Sequence, residues 1–190
     1  MDMLVIIDMV NGFINEGALA DKNINNITPN IINLINKAQA KNMPIVAFKD
    51  CHDEFDDEFK IFPPHCIKGT SESELIDELK PYEDDFIVIE KNTTNGFITQ
   101  KFLNIVKNHK IDNVYVTGCC TDICVNGFVN SYLKFIEKYS LSTKIKVIGD
   151  ACATFDGQNH SALLEHNKSL KEMEKNGAKI IFLAKEYIKE

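Results

Sequence analysis

The sequence predicts an α/β fold, a doubly wound and mostly parallel sheet of six strands with helices on both faces. Six short runs rich in β-branched residues recur along the chain, and patterns typical of amphipathic helices separate them. The runs are almost continuously apolar instead of alternating, which is typical of strands covered on both faces. These observations favour repeated βαβ units and a parallel sheet.

The predicted strands occupy residues 4–8, 44–48, 86–90, 113–118, 145–150 and 178–183. The first predicted helix lies within 27–42, where apolar residues recur at spacings of three and four. Thr28 is predicted as its cap and Pro29 as its first helical residue. Similar helical patterns at 99–109, 122–137 and 159–176 alternate with the later strands.

The composition is that of an ordinary globular protein. The chain has 190 residues, of which 44% are hydrophobic, so we expect one domain over residues 1–190. A formal net charge of -7 argues against nucleic acid as a partner, because such proteins need a positive face. The first ten residues lack a basic leader, and no stretch predicts a membrane span or a membrane partner. Six cysteines without an export signal indicate reduced thiols and a cytoplasmic location.

Polar and ionisable residues follow three of the predicted strands. Asp8 ends the first strand, Lys91 follows the third, and the turn GCCTDICV follows the fourth. Because ligands of open parallel sheets bind beyond the carboxyl ends of the strands, we expect these groups to converge. Asp8, paired with Lys91, is then a candidate general base and acid for a nearby thiol. The alternative is a structural salt bridge at the end of a strand, or an aspartate that caps a helix.

Cys124 is the candidate nucleophile. Thr121 is predicted to cap the helix that follows the fourth strand, which places Cys124 in its first turn and lowers the pKa of the thiol. The backbone N–H groups of Cys120 and Cys124 then form a candidate oxyanion hole. Asp122 is assigned to the same helical turn as a favourable charge. The alternative is that Cys124 is a buried small apolar residue.

The connector from Lys49 to about Ser71 carries a candidate metal site. It offers oxygen and imidazole ligands for one divalent metal, with zinc first and manganese or iron as alternatives, from Asp50, His52, Glu58 and His65. The remaining acids of the loop are interpreted as solvated, namely Asp53, Glu54, Asp56 and Asp57. A competing interpretation is a structural zinc site drawn from Cys51, His52, His65 and Cys66.

The aromatic residues and the other histidines receive different interpretations. Phe13 and Phe62 flank the ionisable groups in the sequence and are candidates for holding a planar ring, although a phenylalanine is usually part of a core. The remaining histidines are interpreted as structural or solvent-facing, namely His109, His160 and His166.

Taken together, four segments resemble a known family: IIDMVNGF, DCH followed by FPPHCIKGT, EKNTTNGF and TGCCTDICV. Their order and content resemble the nicotinamidase branch of the isochorismatase-like cysteine hydrolases. The resemblance implies a catalytic triad of Asp8, Lys91 and Cys124, oxyanion donors at Cys120 and Cys124, and a cis peptide between Cys119 and Cys120. It also implies ring-stacking roles for Phe13 and Phe62.

The resemblance further implies a metal set and a substrate. The metal ligands are Asp50, His52 and His65, with Glu58 in the variable fourth place, and in that family the metal holds the pyridine nitrogen of nicotinamide. The implied reaction converts nicotinamide to nicotinate and ammonia through a thioester on Cys124. The implied partner is a small aromatic amide, and we expect a homo-oligomer.

Departures from the family pattern keep other functions open. Phe62 stands where many relatives have tryptophan, Val10 stands where a polar residue is frequent, and GTSES replaces a GTxG turn. The alternatives are therefore a related hydrolase acting on another small amide, a catalytically silent module that binds a metal or small ligand, and a thiol redox sensor that uses Cys119, Cys120 and Cys124.

Overall fold

The computed structural model describes residues 1–186 and confirms the predicted fold class. The six strands are β1 (Asp2–Ile7), β2 (Ile45–Asp50), β3 (Phe86–Lys91), β4 (Asn113–Cys119), β5 (Lys144–Ala153) and β6 (Lys179–Ile181). All their pairings are parallel, in the order β3-β2-β1-β4-β5-β6. The strand order reverses at the β1–β4 junction, which is where a doubly wound sheet opens a crevice for ligands. The predicted domain runs to residue 190, and its last four residues lie outside the described ones.

Helices cover both faces of the sheet, as predicted. They are α1 (Asn11–Ile14), α2 (Thr28–Ala40), α3 (Gln100–Asn108), α4 (Asn126–Lys138), α5 (Ala162–Lys175) and α6 (Leu183–Glu186). The cluster on one face joins β-strand residues to buried residues of α3, α4 and α5, and the cluster on the other face does the same with α1, α2 and α6. None of these helices has the length and apolar character needed to cross a membrane.

The prediction for the start of α2 is wrong by one residue. Ile27 is the N-cap, Thr28 is already helical, and Pro29 falls in the first turn. The Thr28 hydroxyl donates a hydrogen bond of 2.6 Å to Oδ1 of Asn25 instead of capping the helix. The reason is local, because a 3₁₀ turn over Lys22–Ile27 leads directly into the helix with Ile27 in the α region.

The expectation that every strand is covered on both faces fails at the edge of the sheet. Residues 3–7 of β1 are all buried, whereas Ile87 and Glu90 of β3 are exposed. β3 is an edge strand, and at this margin of the sheet side chains on both faces reach solvent.

Two backbone features bring the functional ends of β1 and β4 together. Gly118 has φ +111°, and a Cβ at this position would lie 2.0 Å from the Ile7 carbonyl oxygen, so only glycine permits this approach. Asp8 follows β1 with φ 53°, which turns its side chain out of the strand register. The implied cis peptide between Cys119 and Cys120 is present.

Candidate active site

Asp8, Lys91 and Cys124 meet beyond the carboxyl ends of β1, β3 and β4. Nζ of Lys91 lies 2.8 Å from Oδ2 of Asp8, and both side chains are fully buried. The buried Cys124 thiol lies close enough to the Asp8 carboxylate to lower the pKa of that carboxyl group. The expected convergence of acid, base and thiol is therefore observed, while the chemical roles of the three residues stay predictions.

Lys91 has a second carboxylate partner that the sequence did not reveal. Asp50 and Lys91 are register partners on β2 and β3, and Nζ of Lys91 lies 2.7 Å from Oδ1 of Asp50. β2 lies between β3 and β1 in the sheet, so one ammonium group pairs with two buried carboxylates, Asp8 and Asp50. Such a charge is costly to bury alone and is stabilised here by both partners.

Burial dominates the ionisation of the nucleophile and its base. It raises the pKa of Asp8 to about 6, although Lys91 acts in the opposite direction. Burial also raises the pKa of the Cys124 thiol well above its ordinary value, again against the pull of Lys91. The expectation that a helix start lowers this pKa is wrong for the free protein. A thiol with a raised pKa needs a base to become a nucleophile, and the nearby Asp8 is the candidate for that base.

The turn that carries Cys124 differs from the predicted helix start. Thr121–Val125 forms a π-helical turn, and its N-cap is Cys120 instead of Thr121. The Cys120 carbonyl oxygen accepts hydrogen bonds of 3.1 Å from both Ile123 N and Val125 N. Thr121 is buried, and its hydroxyl lies 2.9 Å from Nδ1 of His166, so it is engaged elsewhere. Asp122 does lie in the first turn, as predicted.

Three predicted metal ligands converge next to the triad. Oδ2 of Asp50 lies 2.9 Å from Nε2 of His52 and 3.1 Å from Nε2 of His65, and all three residues are buried. The opposite ring nitrogens are also engaged, because Nδ1 of His52 lies 3.1 Å from Oδ2 of Asp56 and Nδ1 of His65 lies 2.7 Å from the Pro63 carbonyl oxygen. Acceptors at both Nδ1 atoms direct both Nε2 atoms towards Asp50, which is the arrangement of a metal-binding imidazole pair.

This donor set fits a divalent metal. The three ligand atoms lie within 4.8 Å of one another, and bonds of about 2.0–2.2 Å from a central zinc accommodate donors at this spacing. Burial alone raises the pKa of Asp50, but Lys91 and the contacts with both histidines lower it below its ordinary value. Asp50 therefore remains ionised and available as an oxygen ligand.

Other predictions for the metal loop have mixed outcomes. Glu58 lies on the wall of the adjoining cavity but outside the group of three ligands, so its ligand role stays a prediction. The competing zinc site is wrong, since neither Cys51 nor Cys66 belongs to a metal-binding group within residues 1–186. The interpretation of Asp56 as a solvated acid is also wrong. Its carboxylate contacts His52 and accepts hydrogen bonds from the Asp53 N–H at 3.0 Å and the Asn92 side chain at 3.1 Å.

A cavity of about 320 Å³ opens over these groups. Its walls include Asp50, His65, Cys120 and Cys124. Phe13 and Phe62 also line it, with ring centroids 5.6 Å and 6.3 Å from that of His65. Both predicted ring-binding residues are thus positioned beside the metal-binding group.

Sequence reasoning missed one aromatic wall of the cavity. Phe155 lines the cavity and stacks on His160 with ring centroids 4.0 Å apart and planes 3° apart. Nε2 of His160 lies 2.7 Å from Oδ2 of Asp122, which ties this wall to the turn that carries Cys124. The structural interpretation of His160 and His166 is confirmed, and His109 is exposed. Phe155 follows β5 without a motif, so no local signal identified it.

Comparisons with known proteins agree with this architecture. A model of the Isochorismatase domain matches residues 2–184. Nicotinamidase 1 of Arabidopsis thaliana is 33% identical over 206 residues, which cover 94% of this chain and 84% of that protein. The solved structure of a pyrazinamidase/nicotinamidase from Streptococcus mutans has a TM-score of 0.79 at 30% identity and covers 95% of this chain and 100% of that one. A pyrazinamidase of Pyrococcus horikoshii, solved in complex with zinc, shares the fold with a TM-score of 0.78 at 24% identity, covering 96% of this chain and 99% of that one.

Proposed function

The chain belongs to the isochorismatase family, and we propose that within it the chain is a metal-dependent cysteine amidohydrolase that converts nicotinamide to nicotinate and ammonia. The hydrolase class follows from the family. The proposal adds a substrate, nicotinamide, and a divalent metal to this hydrolase class. The nicotinamidase branch expected from the sequence agrees with the nicotinamidases among the relatives.

One observation carries the proposal. The Cys124 thiol, near the buried Asp8 carboxylate, lines the same cavity as Asp50 and His65 of the metal-binding group. A small planar amide held by the metal-binding group and by aromatic side chains therefore has a nucleophile within the same enclosure. An isolated salt bridge or a buried structural cysteine would not need such a cavity.

The proposed acylation step uses the Asp8 carboxylate as a general base. Asp8 takes the thiol proton as the Cys124 sulfur attacks the carboxamide carbon, and the oxygen of the tetrahedral intermediate accepts hydrogen bonds from the backbone N–H groups of Cys120 and Cys124. Asp8 then returns the proton to the amide nitrogen. The carbon–nitrogen bond breaks, ammonia leaves, and a thioester on Cys124 remains.

The proposed deacylation step repeats this chemistry with water. Asp8 removes a proton from the attacking water, and the tetrahedral intermediate collapses to nicotinic acid and the Cys124 thiolate. Asp8 returns its proton to the thiolate, and the acid releases its own proton to solvent and leaves as nicotinate. Lys91 keeps Asp8 ionised and fixed in place through its contact of 2.8 Å. The raised pKa of the buried thiol is consistent with this order of events, because proton transfer accompanies attack instead of preceding it.

The metal-binding group supplies the second part of the proposal. Asp50, His52 and His65 would hold one divalent ion, for which we propose zinc, with manganese or iron as alternatives. When bound, the ion supplies a Lewis-acid contact for a ring nitrogen and so anchors the substrate beside the thiol. The convergence of the three ligands supports the metal, and the zinc-bound protein of the same fold is in keeping with it.

An ammonia-release assay tests the proposed function. The purified protein is loaded with zinc, manganese or iron and given nicotinamide, pyrazinamide, benzamide and a carbamoyl amide, with and without a chelator. We expect metal-dependent release of ammonia from nicotinamide, with benzamide a much poorer substrate because it lacks the ring nitrogen. Turnover of the carbamoyl amide alone would move the chain to another activity of its family. Inactivity towards every amide with metal bound would support a silent binding module.

The remaining expectations stay predictions. They are a homo-oligomeric assembly, a cytoplasmic location, and the absence of nucleic-acid and membrane partners. Size-exclusion chromatography with light scattering tests the first of these directly.

A further inference from the structure

A second cavity lies at the opposite edge of the sheet from the candidate active site. It has a volume of about 310 Å³ and lies between α2 and the sheet, and it shares no lining residue with the active-site cavity. Its sheet-side lining comes from β1, β4, β5 and β6, whereas the triad lies at the carboxyl ends of β1 and β3 and after β4. The proposed amidase reaction therefore does not use it.

Three strands place an aromatic ring and two ammonium groups side by side in this cavity. Tyr115 pairs with Lys146 in the β4–β5 register, and Lys146 pairs with Lys179 in the β5–β6 register. Nζ of Lys146 donates a hydrogen bond of 3.2 Å to the Tyr115 hydroxyl and lies 4.8 Å from the centre of its ring. Lysines directly opposite each other on neighbouring strands repel, so this pair has a cost unless an anion lies between them.

The helical side of the cavity adds positive charge. Lys41, at the end of α2, also lines it. Within residues 1–184, no acidic side chain lines the cavity. Three lysines, Lys41, Lys146 and Lys179, thus line one cavity in a chain of formal net charge -7.

The floor of the cavity is apolar. Leu4, Ile148 and Leu183 contribute to it beside the Tyr115 ring. Bare inorganic anions are poorly matched to such a floor, whereas a small molecule with an apolar body and one negative group satisfies both parts of the lining.

We propose that this cavity is a binding site for a small amphiphilic anion, an aromatic or short-chain carboxylate or sulfonate. Its apolar body lies on Leu4, Tyr115 and Leu183, and its anionic group lies between Lys146 and Lys179. The site is independent of the proposed amidase function and of the metal-binding group.

Fluorescence titration with anilinonaphthalene sulfonate tests the proposal on the full chain. The test variant is Lys146→Gln with Lys179→Gln, and the matched control is Lys107→Gln with Lys171→Gln, two exposed lysines outside the cavity. We expect the probe to bind the parent and the control equally. We expect it to bind the test variant roughly 3- to 30-fold more weakly, the range for the loss of two exposed ion pairs.

Competition defines the class of ligand and separates the two cavities. Benzoate and hexanoate should displace the probe from the parent, whereas inorganic phosphate and benzyl alcohol should not. Benzoate and hexanoate should also raise the melting temperature of the parent and of the control variant, but not that of the test variant. Amidase activity of the test variant should equal that of the parent. Equal probe affinity in the test variant, no probe binding to the parent, or displacement by phosphate as readily as by benzoate would each overturn the proposal.

Discussion

Asp56 provides a sharp test of the metal-binding group, because its carboxylate contacts the outer nitrogen of a buried histidine. Oδ2 of Asp56 lies 3.1 Å from Nδ1 of His52, whose side chain is fully buried. The same carboxylate accepts hydrogen bonds from Asp53 N and the Asn92 side chain, so its position is fixed from three directions. Replacing Asp56 with alanine removes the acceptor that holds the His52 ring with Nε2 towards Asp50.

The expected magnitude follows from the buried nitrogen left without a partner. An unsatisfied buried donor costs about 1–3 kcal/mol, which corresponds to roughly 5- to 150-fold in an equilibrium constant. Loss of such an outer partner typically weakens metal binding about 10- to 100-fold. We therefore expect Asp56→Ala to weaken zinc binding by about 10- to 100-fold, and Asp56→Asn, which keeps a neutral acceptor, to weaken it less.

Competition with a chromophoric chelator measures this affinity for zinc and for manganese. The matched control is Asp57→Ala, since the Asp57 side chain is 91% exposed and pairs only with the exposed Lys60 among the described residues. Thermal unfolding of the metal-free variants separates an effect on the loop from an effect on metal binding. If Asp56→Ala binds zinc with the parent affinity while its melting temperature falls, Asp56 acts on the loop alone and the reasoning is refuted.

Three further predictions concern the nucleophile, its base and the core. Cys124→Ala should lose ammonia release and the burst of bound product while retaining nicotinamide binding by calorimetry, and turnover at the parent rate would contradict the proposed mechanism. Asp8 must be ionised to act as base and its pKa is raised to about 6, so kcat/KM should be full above that pH and fall about tenfold per pH unit below it. A profile flat down to pH 4 would exclude Asp8 as the base. Phe48→Ala should lower the free energy of unfolding by about 3–5 kcal/mol in urea titrations. The reason is that the fully buried Phe48 ring packs with its centroid 5.5 Å from those of both Phe102 and Phe128. A loss below about 1 kcal/mol would mean that the core repacks into the space left by the ring.

The order of strands and helices could be predicted from the sequence because each element carries its own periodicity. The buried run of β1 and the apolar spacing of α2 are local patterns, and they identify the elements before any contact is known. The strand-end residues Asp8 and Lys91 followed from the same patterns, since a parallel sheet brings its carboxyl ends to one edge.

Helix starts were less accessible to sequence reasoning. Thr28 and Thr121 both match the preferred cap residues, yet each is helical in the structure and each hydroxyl has another partner. A capping preference is a weak local energy, and a preceding turn or a tertiary hydrogen bond overrides it.

From the sequence alone, the fold class, the family and most members of the candidate site could be recognised. The reason is that strand-end motifs and the spacing of hydrophobic residues are local signals, each contained in one short segment. The contact of Lys91 with Asp50, the role of Asp56, the Phe155 wall and the raised pKa of Cys124 required the folded chain. Each of these depends on which side chains lie close together across strands and on how much water they exclude, and neither quantity is encoded in any one segment.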